Sequence, residues 1–395
     1  MVTTDHYSAS QYQTNELMYG GVVHVSSGGF YGSGALLYDG RAILTAAHVV
    51  EQGVDRRITF LTPEGMSTRR VSEVVTHPSA DTLQGNYDLA LLWLESSAPV
   101  DAERYQLYRD TDEIGQSFTQ VGFGSYGVGD TGAIYSSSSY QRLRADNQFE
   151  ITGEELDSRL SLNWNPVEGI QLLADFDSGN SSNDAFGLLL GLHDLGLGVD
   201  EGLVAKGDSG GPAFIDGYVA GVASYVSTVS RYAADPDIDG EANNSSFGEI
   251  AAWQRISSVQ EWIDQELRNH YLDTPARPED IAKEVLEGDS ATTLTYFMVS
   301  YSGIRSEAPD ILSVDYATRD GSATAGSDYI AVSGTLHLYS NEDFALIPVE
   351  IIGDSLAEPD ETFYLDIFNP VGADLVYGAV TLTAYRTILN DDLFG

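Results

Sequence analysis

Three short stretches of the chain carry residue types that could do chemistry together. Ser209 sits in "GDSGGP", between Asp208 and a run of glycines and a proline. A serine hydroxyl is a weak nucleophile unless a base removes its proton, and an imidazole held by a carboxylate is a common way to do so. Among the seven histidines, His48 lies in "ILTAAHVV", at the end of an apolar run. Asp88 lies in "GNYDLALLWLE", just before another strongly apolar run. Each residue alone also fits a structural role: a core histidine, a strand-initiating aspartate, a glycine-rich turn. The chemistry envisaged for the three together is acyl transfer. Ser209 Oγ would attack a carbonyl, His48 would carry the proton, and Asp88 would orient the imidazole. The glycines would let a tight turn aim the N–H groups of Gly207 and Ser209 at a developing oxyanion.

The elements that must hold these residues read as strands. Runs such as "GGVVHVS", "GALLYDGRAILTAAHVV", "DLALLWLE" and "GYVAGVASYV" are rich in β-branched and aromatic residues, and Gly, Ser, Asp and Asn clusters separate them. Helical spacing is scarce until "SSVQEWIDQELRNHYL", where Val259, Trp262, Ile263 and Leu267 predict a helix capped by Ser257 or Ser258. The stretch "DTPARPEDI" reads as a linker. Beyond it, "ETFYLDIFNP" alternates with period two, as a half-buried strand of an antiparallel sandwich does. The chain therefore reads as all-β, with an N-terminal arm over 1–15, a first domain over 16–274 closed by a helix, and a second over 275–395.

Composition narrows the function classes. The 395 residues include 60 acidic and 19 basic ones, for a net charge of −41, and Lys206 and Lys283 are the only lysines. Such a surface disfavours nucleic acid and anionic membranes. No run is long and apolar enough to cross a bilayer, since "FGLLLGLHDLGLGV" is broken by His193 and Asp194. The absence of cysteine excludes disulfides and thiolate metal sites. No secretory signal is visible in "MVTTDHYSAS". The alternating acids of "DPDIDGE", Asp235 to Glu241, are either a solvated loop or half of a calcium loop.

With "TAAH", "DLALL" and "GDSGGP" in the order His, Asp, Ser, the first domain resembles the chymotrypsin-like (trypsin-fold) serine proteases. The resemblance implies a double β-barrel, a catalytic His48, Asp88 and Ser209, and an oxyanion hole from Gly207 and Ser209. It places Leu203 at the base of the specificity pocket and Ser224, Tyr225, Val226 and Ala251 along its wall. With Leu203 where trypsin-like members carry an acid, and with Val226 narrowing the entrance, the expected substrate is a protein or peptide with a small or medium apolar residue before the cut. Two departures stand out. Val49 occupies a usual cysteine position, and no "IVGG"-type activation sequence is visible to supply a partner for Asp208, "MYGG" at Met18 to Gly21 being a loose echo. The partner is expected either from a terminus generated among residues 5 to 16 or from another group.

The second domain, with "DGSATAGSDY", "DETF" and a final "NDD", resembles the Calx-β domain, a calcium-binding Ig-like β-sandwich. The resemblance implies calcium as cofactor and Glu287, Asp320, Asp354, Glu358, Glu361, Asp391 and Asp392 as ligands. The combined expectation is a secreted, bacterial-type, monomeric serine endopeptidase with a calcium-binding accessory domain, without nucleic-acid or membrane partners. The alternative is a calcium-dependent adhesion or matrix-binding protein whose protease-like domain is inactive or zymogen-like.

Overall fold

The computed structural model describes residues 1–6, 18–50, 55–135, 140–231, 234–303 and 311–392. The chain forms two compact units, Met1–Leu37 with Arg41–Ile263, and Tyr38–Gly40 with Asp264–Gly395. Strand β1 is Val2–Thr3. Strands β2 (Val22–Ser27), β3 (Phe30–Leu36), β4 (Ala42–Thr45), β5 (Arg56–Thr62), β6 (Gly65–Thr76) and β7 (Ala90–Leu94) follow. Hydrogen bonds in the order β2-β3-β4-β7-β6-β5 close these six into a barrel. Every residue of β4 and β7 is buried, which explains why both read as continuous apolar runs rather than alternating ones.

The other half of this unit uses β8 (Ser117–Gly122), β9 (Tyr126–Val128), β10 (Gly132–Tyr135), β11 (Leu143–Gln148), β12 (Ile151–Thr152), β13 (Gln171–Asp175), β14 (Gly202–Leu203), β15 (Pro212–Ile215), β16 (Tyr218–Ser227) and β17 (Ile250–Arg255). Seven of these strands make one sheet, β11-β8-β15-β16-β17-β13-β12, while β10-β9-β1-β14 make a small second one. Their core gathers Phe118, Phe149, Leu172, Leu203, Ala251 and Trp253. Helix α1 (Ala47–Val50) is a single turn, and α2 (Gly153–Leu160) and α3 (Ala185–Leu190) are short. Helix α4 (Gln260–Asn269) is the expected closing helix, with Ile263 and Leu267 fully buried. Neither predicted cap serves it: Ser257 Oγ donates to buried Glu113 and Ser258 Oγ to the Gly169 carbonyl.

Two expectations about organisation need correction. Residues 1–4 are not a loose arm: Met1 to Thr4 are buried, and Val2 and Thr3 pair with Leu203 and Gly202. Residues 7–15 of that predicted arm lie outside the described residues, apart from which Asp5 and His6 are exposed. The compact units divide at Ile263/Asp264, inside α4, rather than near 275. Within the second unit, buried Asp264 accepts a hydrogen bond from Tyr339 and Arg268 pairs with Glu342, which ties the end of the helix to that unit's own side chains.

The second unit is a β-sandwich. Its strands are β18 (Glu284–Leu286), β19 (Thr292–Ser300), β20 (Leu312–Asp320), β21 (Ser333–Leu338), β22 (Phe344–Ile352), β23 (Glu361–Val371) and β24 (Thr381–Leu389). One sheet runs β18-β24-β23-β20-β21 and the other pairs β19 with β22. Phe297, Ile347, Val349, Ile351, Phe363 and Leu365 fill the space between them.

A titratable group in the first barrel makes its stability pH-dependent. His24 on β2 lies among aromatic rings, stacked on Tyr31 and edge-on to Phe123 and Tyr140. Burial lowers its pKa to about 4. The folded pKa then lies below the unfolded one, so the unfolded chain takes up the proton first as the pH falls. Stability from His24 is present above the ordinary histidine value of about 6.5. It is lost as the pH drops from there towards 4. His24→Phe, which keeps the stacking, should flatten the acid side of a plot of Tm against pH. An acid limb identical to wild type would exclude His24 as its source.

Candidate functional site

His48 and Asp88 meet at the edge of the first barrel. Strand β4 delivers "TAAH" into α1, and Asp88 directly precedes Leu89 and β7, the neighbour of β4 in the sheet. Asp88 Oδ2 lies 2.7 Å from His48 Nδ1, and Asp88 Oδ1 accepts the His48 backbone N–H at 2.9 Å. The carboxylate therefore fixes both the ring and the backbone of the histidine. A third donor, Ser224 Oγ on β16, reaches Asp88 Oδ2 at 2.6 Å. Asp88 is 2% exposed, whereas the His48 side chain is 34% exposed. Burial alone would raise the Asp88 pKa, but the bonds and charge of His48 and the Ser224 hydroxyl outweigh it and hold the carboxyl below its ordinary value. Gln254 completes the surroundings, its Oε1 accepting the Asp88 N–H and its Nε2 donating to the Gly85 carbonyl.

Close backbone packing brings the Ser209 turn against the residues on either side of His48. The N–H of Ser33 on β3 donates to the Ser209 carbonyl at 2.8 Å. A Cβ on Gly32 would lie 2.7 Å from that carbonyl and 2.8 Å from the Val49 side chain, so Ser209 and the residue after His48 flank one glycine. A Cβ on Gly210 would strike Thr45 Oγ1 and the Ala46 nitrogen at 2.1 and 2.9 Å. Glycine is required at these points because two chain segments meet there without room for a side chain. Gly207 adopts φ +97°, a conformation that favours glycine. Its carbonyl accepts Ser33 Oγ, and the turn is closed by Asp208 N–H to Ala205 O and Gly211 N–H to Asp208 O. Among the described residues, neither the Gly207 N–H nor the Ser209 N–H donates to a protein acceptor. Two oriented donors at one turn suit an oxyanion.

Asp208 supplies what the sequence left open. It is fully buried. Its Oδ2 pairs with the amino group of Met1 at 2.7 Å and accepts the Ala205 N–H at 2.9 Å, while Oδ1 accepts the Gly124 N–H at 2.7 Å. The same amino group also donates to the Ser125 carbonyl. The pairing of β1 with β14 and β9 carries Met1 to this point. "MYGG", by contrast, has no part in it, since Gly20 and Gly21 pack against Asp101 and Glu103.

The residues expected to line a substrate pocket have distinct surroundings. Leu203 and Ala251 are fully buried in the core that also holds Phe247. Val226 is half-buried and packs against that core. Ser224 is better described as a partner of Asp88 than as a pocket wall, because its hydroxyl is committed there. Next to Tyr225, a cavity of about 360 Å³ opens among Leu83, Leu156, Trp164, Leu173 and Val229, and it is mostly apolar in lining.

In the sandwich, two acidic groupings place ligand atoms within 4.8 Å of one another: Glu287 with Asp391 and Asp392, and Asp328 with Glu358 and Glu361. Burial and the neighbouring carboxylates push Glu287 and Glu361 up to about 7. These groups thus fit a hard cation, for which carboxylate oxygens are the usual ligands. Asp354 lies close enough to raise Glu287 and Asp392, although its Oδ1 accepts the Leu356 N–H. Asp320 is a correction. It braces its own loop, accepting the Ala325 N–H and the Tyr329 hydroxyl, and Asp328 stands in the grouping instead. The "DPDIDGE" loop is a self-bonded turn. Asp237 accepts from Ser246 Oγ and Asp239 accepts from Glu241 N–H and Asn244 Nδ2, and it contributes to neither grouping among the described residues.

Comparison with known proteins divides the chain in the same way. The family model described as Trypsin matches residues 7–157, and that described as Calx-beta domain matches residues 284–392. The Drosophila melanogaster sodium/calcium exchanger Calx is 37% identical over 91 residues, 23% of this chain and 9% of that protein. The Rattus norvegicus sodium/calcium exchanger 2 is 38% identical over 95 residues, 21% of this chain and 10% of that protein. The Danio rerio adhesion G-protein coupled receptor V1 is 37% identical over 84 residues, 21% of this chain and 1% of that protein. The chain spans a tenth or less of the length of these curated relatives, all of them animal proteins. Among solved structures, mouse neuropsin, a serine protease expressed in the limbic system, aligns over 65% of this chain and 98% of its own at 17% identity, with a TM-score of 0.47.

Proposed function

We propose, for a chain that joins a trypsin-like serine protease domain to a Calx-β domain, that the protein is an active serine endopeptidase working through His48, Asp88 and Ser209. The reading rests above all on the 2.7 Å bond between His48 Nδ1 and Asp88, which leaves Nε2 as the ring nitrogen able to take a proton. Ser209 Oγ attacks the substrate carbonyl while its proton passes to His48 Nε2. The oxyanion forms against the N–H groups of Gly207 and Ser209. The imidazolium, stabilised by Asp88, then protonates the leaving amine, and water repeats the sequence to release the acid.

Half-buried Val226, rather than Leu203 in the core beneath, favours a small or medium apolar side chain before the scissile bond. The apolar cavity beside Tyr225 would take a second apolar side chain further upstream of the cut. Strand β16, through Ser224 and Val226, would pair with an extended peptide. In the second domain, Glu287, Asp391 and Asp392, and Asp328, Glu358 and Glu361, would hold calcium, which supplies positive charge that neutralises the acidic edge. We place the protein outside the cell, where calcium is abundant and its acidic surface would be compatible.

Labelling of the full chain by a fluorophosphonate, with Ser209→Ala as control, tests the reading. Wild type should label and the variant should not. Absence of labelling in folded wild type would favour the adhesion reading, with an inactive protease domain.

A further inference from the structure

In a chain with 60 acidic and 19 basic residues, one cavity of the sandwich has no acidic residue in its lining among the described residues. It measures about 300 Å³ and lies along the open side of both sheets. Strand β19 pairs with β22 alone, and β18 covers β24 only from Thr387 onward. Among the described residues, β19 and the first half of β24 therefore each leave one edge without a strand neighbour. The two free edges border the same slot. Phe297, Met298 and Val299 are consecutive on β19, Leu382, Thr383 and Ala384 are consecutive on β24, and all six line it. Side chains of a strand alternate between faces, so three in a row border one space only from the edge. A second cavity of about 710 Å³ shares Met298, Val299, Ile367 and Leu382 with the first and continues the slot between the sheets. Both volumes fall in the range of about 300–1,000 Å³ usual for small-molecule sites.

The charged groups of the smaller cavity are both cations. Arg386 on β24 lines it and is 4% exposed. Its guanidinium reaches from one sheet to the other. Cζ lies 3.9 Å from the centre of the Phe297 ring, Nη2 donates to the Tyr296 carbonyl, and Nη1 donates to the Tyr385 carbonyl at 2.8 Å. Nε is buried and has no hydrogen-bond acceptor. Carbonyl dipoles and a ring face ease a buried charge but do not neutralise it. The other well-buried arginines are treated differently: Arg255 pairs with Glu113 and Arg268 with Glu342. Among the described residues no carboxylate pairs with Arg386, and burial alone lowers its pKa, to about 10. Lys283, one of two lysines in the chain, lines the same cavity from an exposed position and also lacks an ion pair among the described residues.

We propose that this slot binds a small organic acid with one carboxylate and an apolar chain, the carboxylate facing Arg386 and Lys283 and the chain lying among Phe297, Met298, Ile367 and Leu382. The charge argument sets the head group. A buried cation without a counter-charge favours an anion, and a guanidinium fork matches a carboxylate. The lining sets the rest of the molecule. An inorganic anion would leave the apolar walls uncovered, whereas an alkyl chain gains their burial. The adjoining larger cavity gives that chain room to extend towards Leu312, Val314 and Leu338. A chain of net charge −41 repels organic anions at long range, so the two cations act locally, at the slot itself. The bound acid would close the open side of the sandwich between β19 and β24, and so stabilise that unit.

Decanoate is the probe, titrated calorimetrically into the full chain in calcium-free buffer, where it forms no calcium soap. It should bind at one molecule per chain. Decanol, with the same chain and no charge, should bind at least tenfold more weakly, and acetate, with the charge and no chain, should not bind detectably. With carbon-13 in the methionine methyls, decanoate should shift the Met298 signal and leave that of Met66, on β6 of the protease unit, in place. Arg386→Met, which keeps an unbranched apolar stem beside Phe297, should weaken decanoate at least tenfold and leave decanol unchanged. Should that variant fail to fold, Lys283→Glu, at an exposed position, should produce the same selective loss. The proposal is overturned if decanoate does not bind, if decanol binds as tightly, or if the Met298 signal stays in place. It is overturned equally if the folded variant keeps full affinity for decanoate. None of these readouts depends on catalysis at Ser209.

Discussion

Asp88→Asn should lower kcat by about 10⁴-fold while leaving the fold and KM little changed. Asp88 Oδ2 accepts from both His48 Nδ1 and Ser224 Oγ, and Oδ1 accepts the His48 N–H. An amide has one acceptor oxygen and one donor nitrogen. If its oxygen keeps the backbone N–H of His48, its NH₂ faces the imidazole. The ring must then present Nδ1 as acceptor and carry its proton on Nε2, the nitrogen that should take the proton of Ser209. Basicity is thus removed by tautomer rather than by displacement. Because Asp88 is 2% exposed, water cannot restore the lost acceptor. The loss should be partly relieved at high pH, where Ser209 needs less help, and fluorophosphonate labelling should slow in parallel. Ser224→Ala, which removes one of the donors but leaves the tautomer intact, should cost much less. Asp88→Asn turnover within tenfold of wild type would be incompatible with a general-base role for His48 oriented by Asp88.

How far such residues were legible depends on whether the chain or the fold brings them together. "GDSGGP" announces itself because the turn needs glycine where segments touch, at Gly207 and Gly210, and those needs are local. "TAAH" and "DLALL" are legible because fully buried strands leave unbroken apolar runs beside the polar residue they position. Met1 and Val2 carry no such mark. Their value lies in the pairing of β1 with β14, which no local pattern encodes. Asp320 and Asp328 lie eight residues apart with the same chemistry, and only the folded position of the Ala325 N–H and the Tyr329 hydroxyl shows that Asp320, though exposed, braces its loop. Helices α2 and α3 escaped notice because eight and six residues are too few to establish a 3.6-residue period.

Asp208→Ala should reduce labelling of Ser209 by at least about 10²–10³-fold, although Asp208 takes no part in proton transfer. Its carboxylate accepts from the Met1 amino group, from Ala205 N–H and from Gly124 N–H, all without solvent. Removing it strands a buried ammonium and two buried N–H groups, a penalty of about 3–5 kcal/mol for the charge alone. The strain would fall first on the turn from Ala205 to Gly210. That turn already holds Gly207 at φ +97°, and the Gly124 and Ala205 N–H groups on either side of it both bond to the Asp208 carboxylate. The first barrel, closed by its own strand ladder, has no such dependence. The predicted lesion is therefore selective: the Gly207 and Ser209 N–H groups lose their orientation while the His48–Asp88 bond persists. Proton NMR of the His48 Nδ1–H should consequently be unchanged in a variant that no longer labels. Asp208→Asn, which retains an acceptor for one N–H but not the charge, should lie between wild type and Asp208→Ala. Full labelling of Asp208→Ala would mean that the oxyanion turn holds itself, and that the buried pair with Met1 serves stability alone.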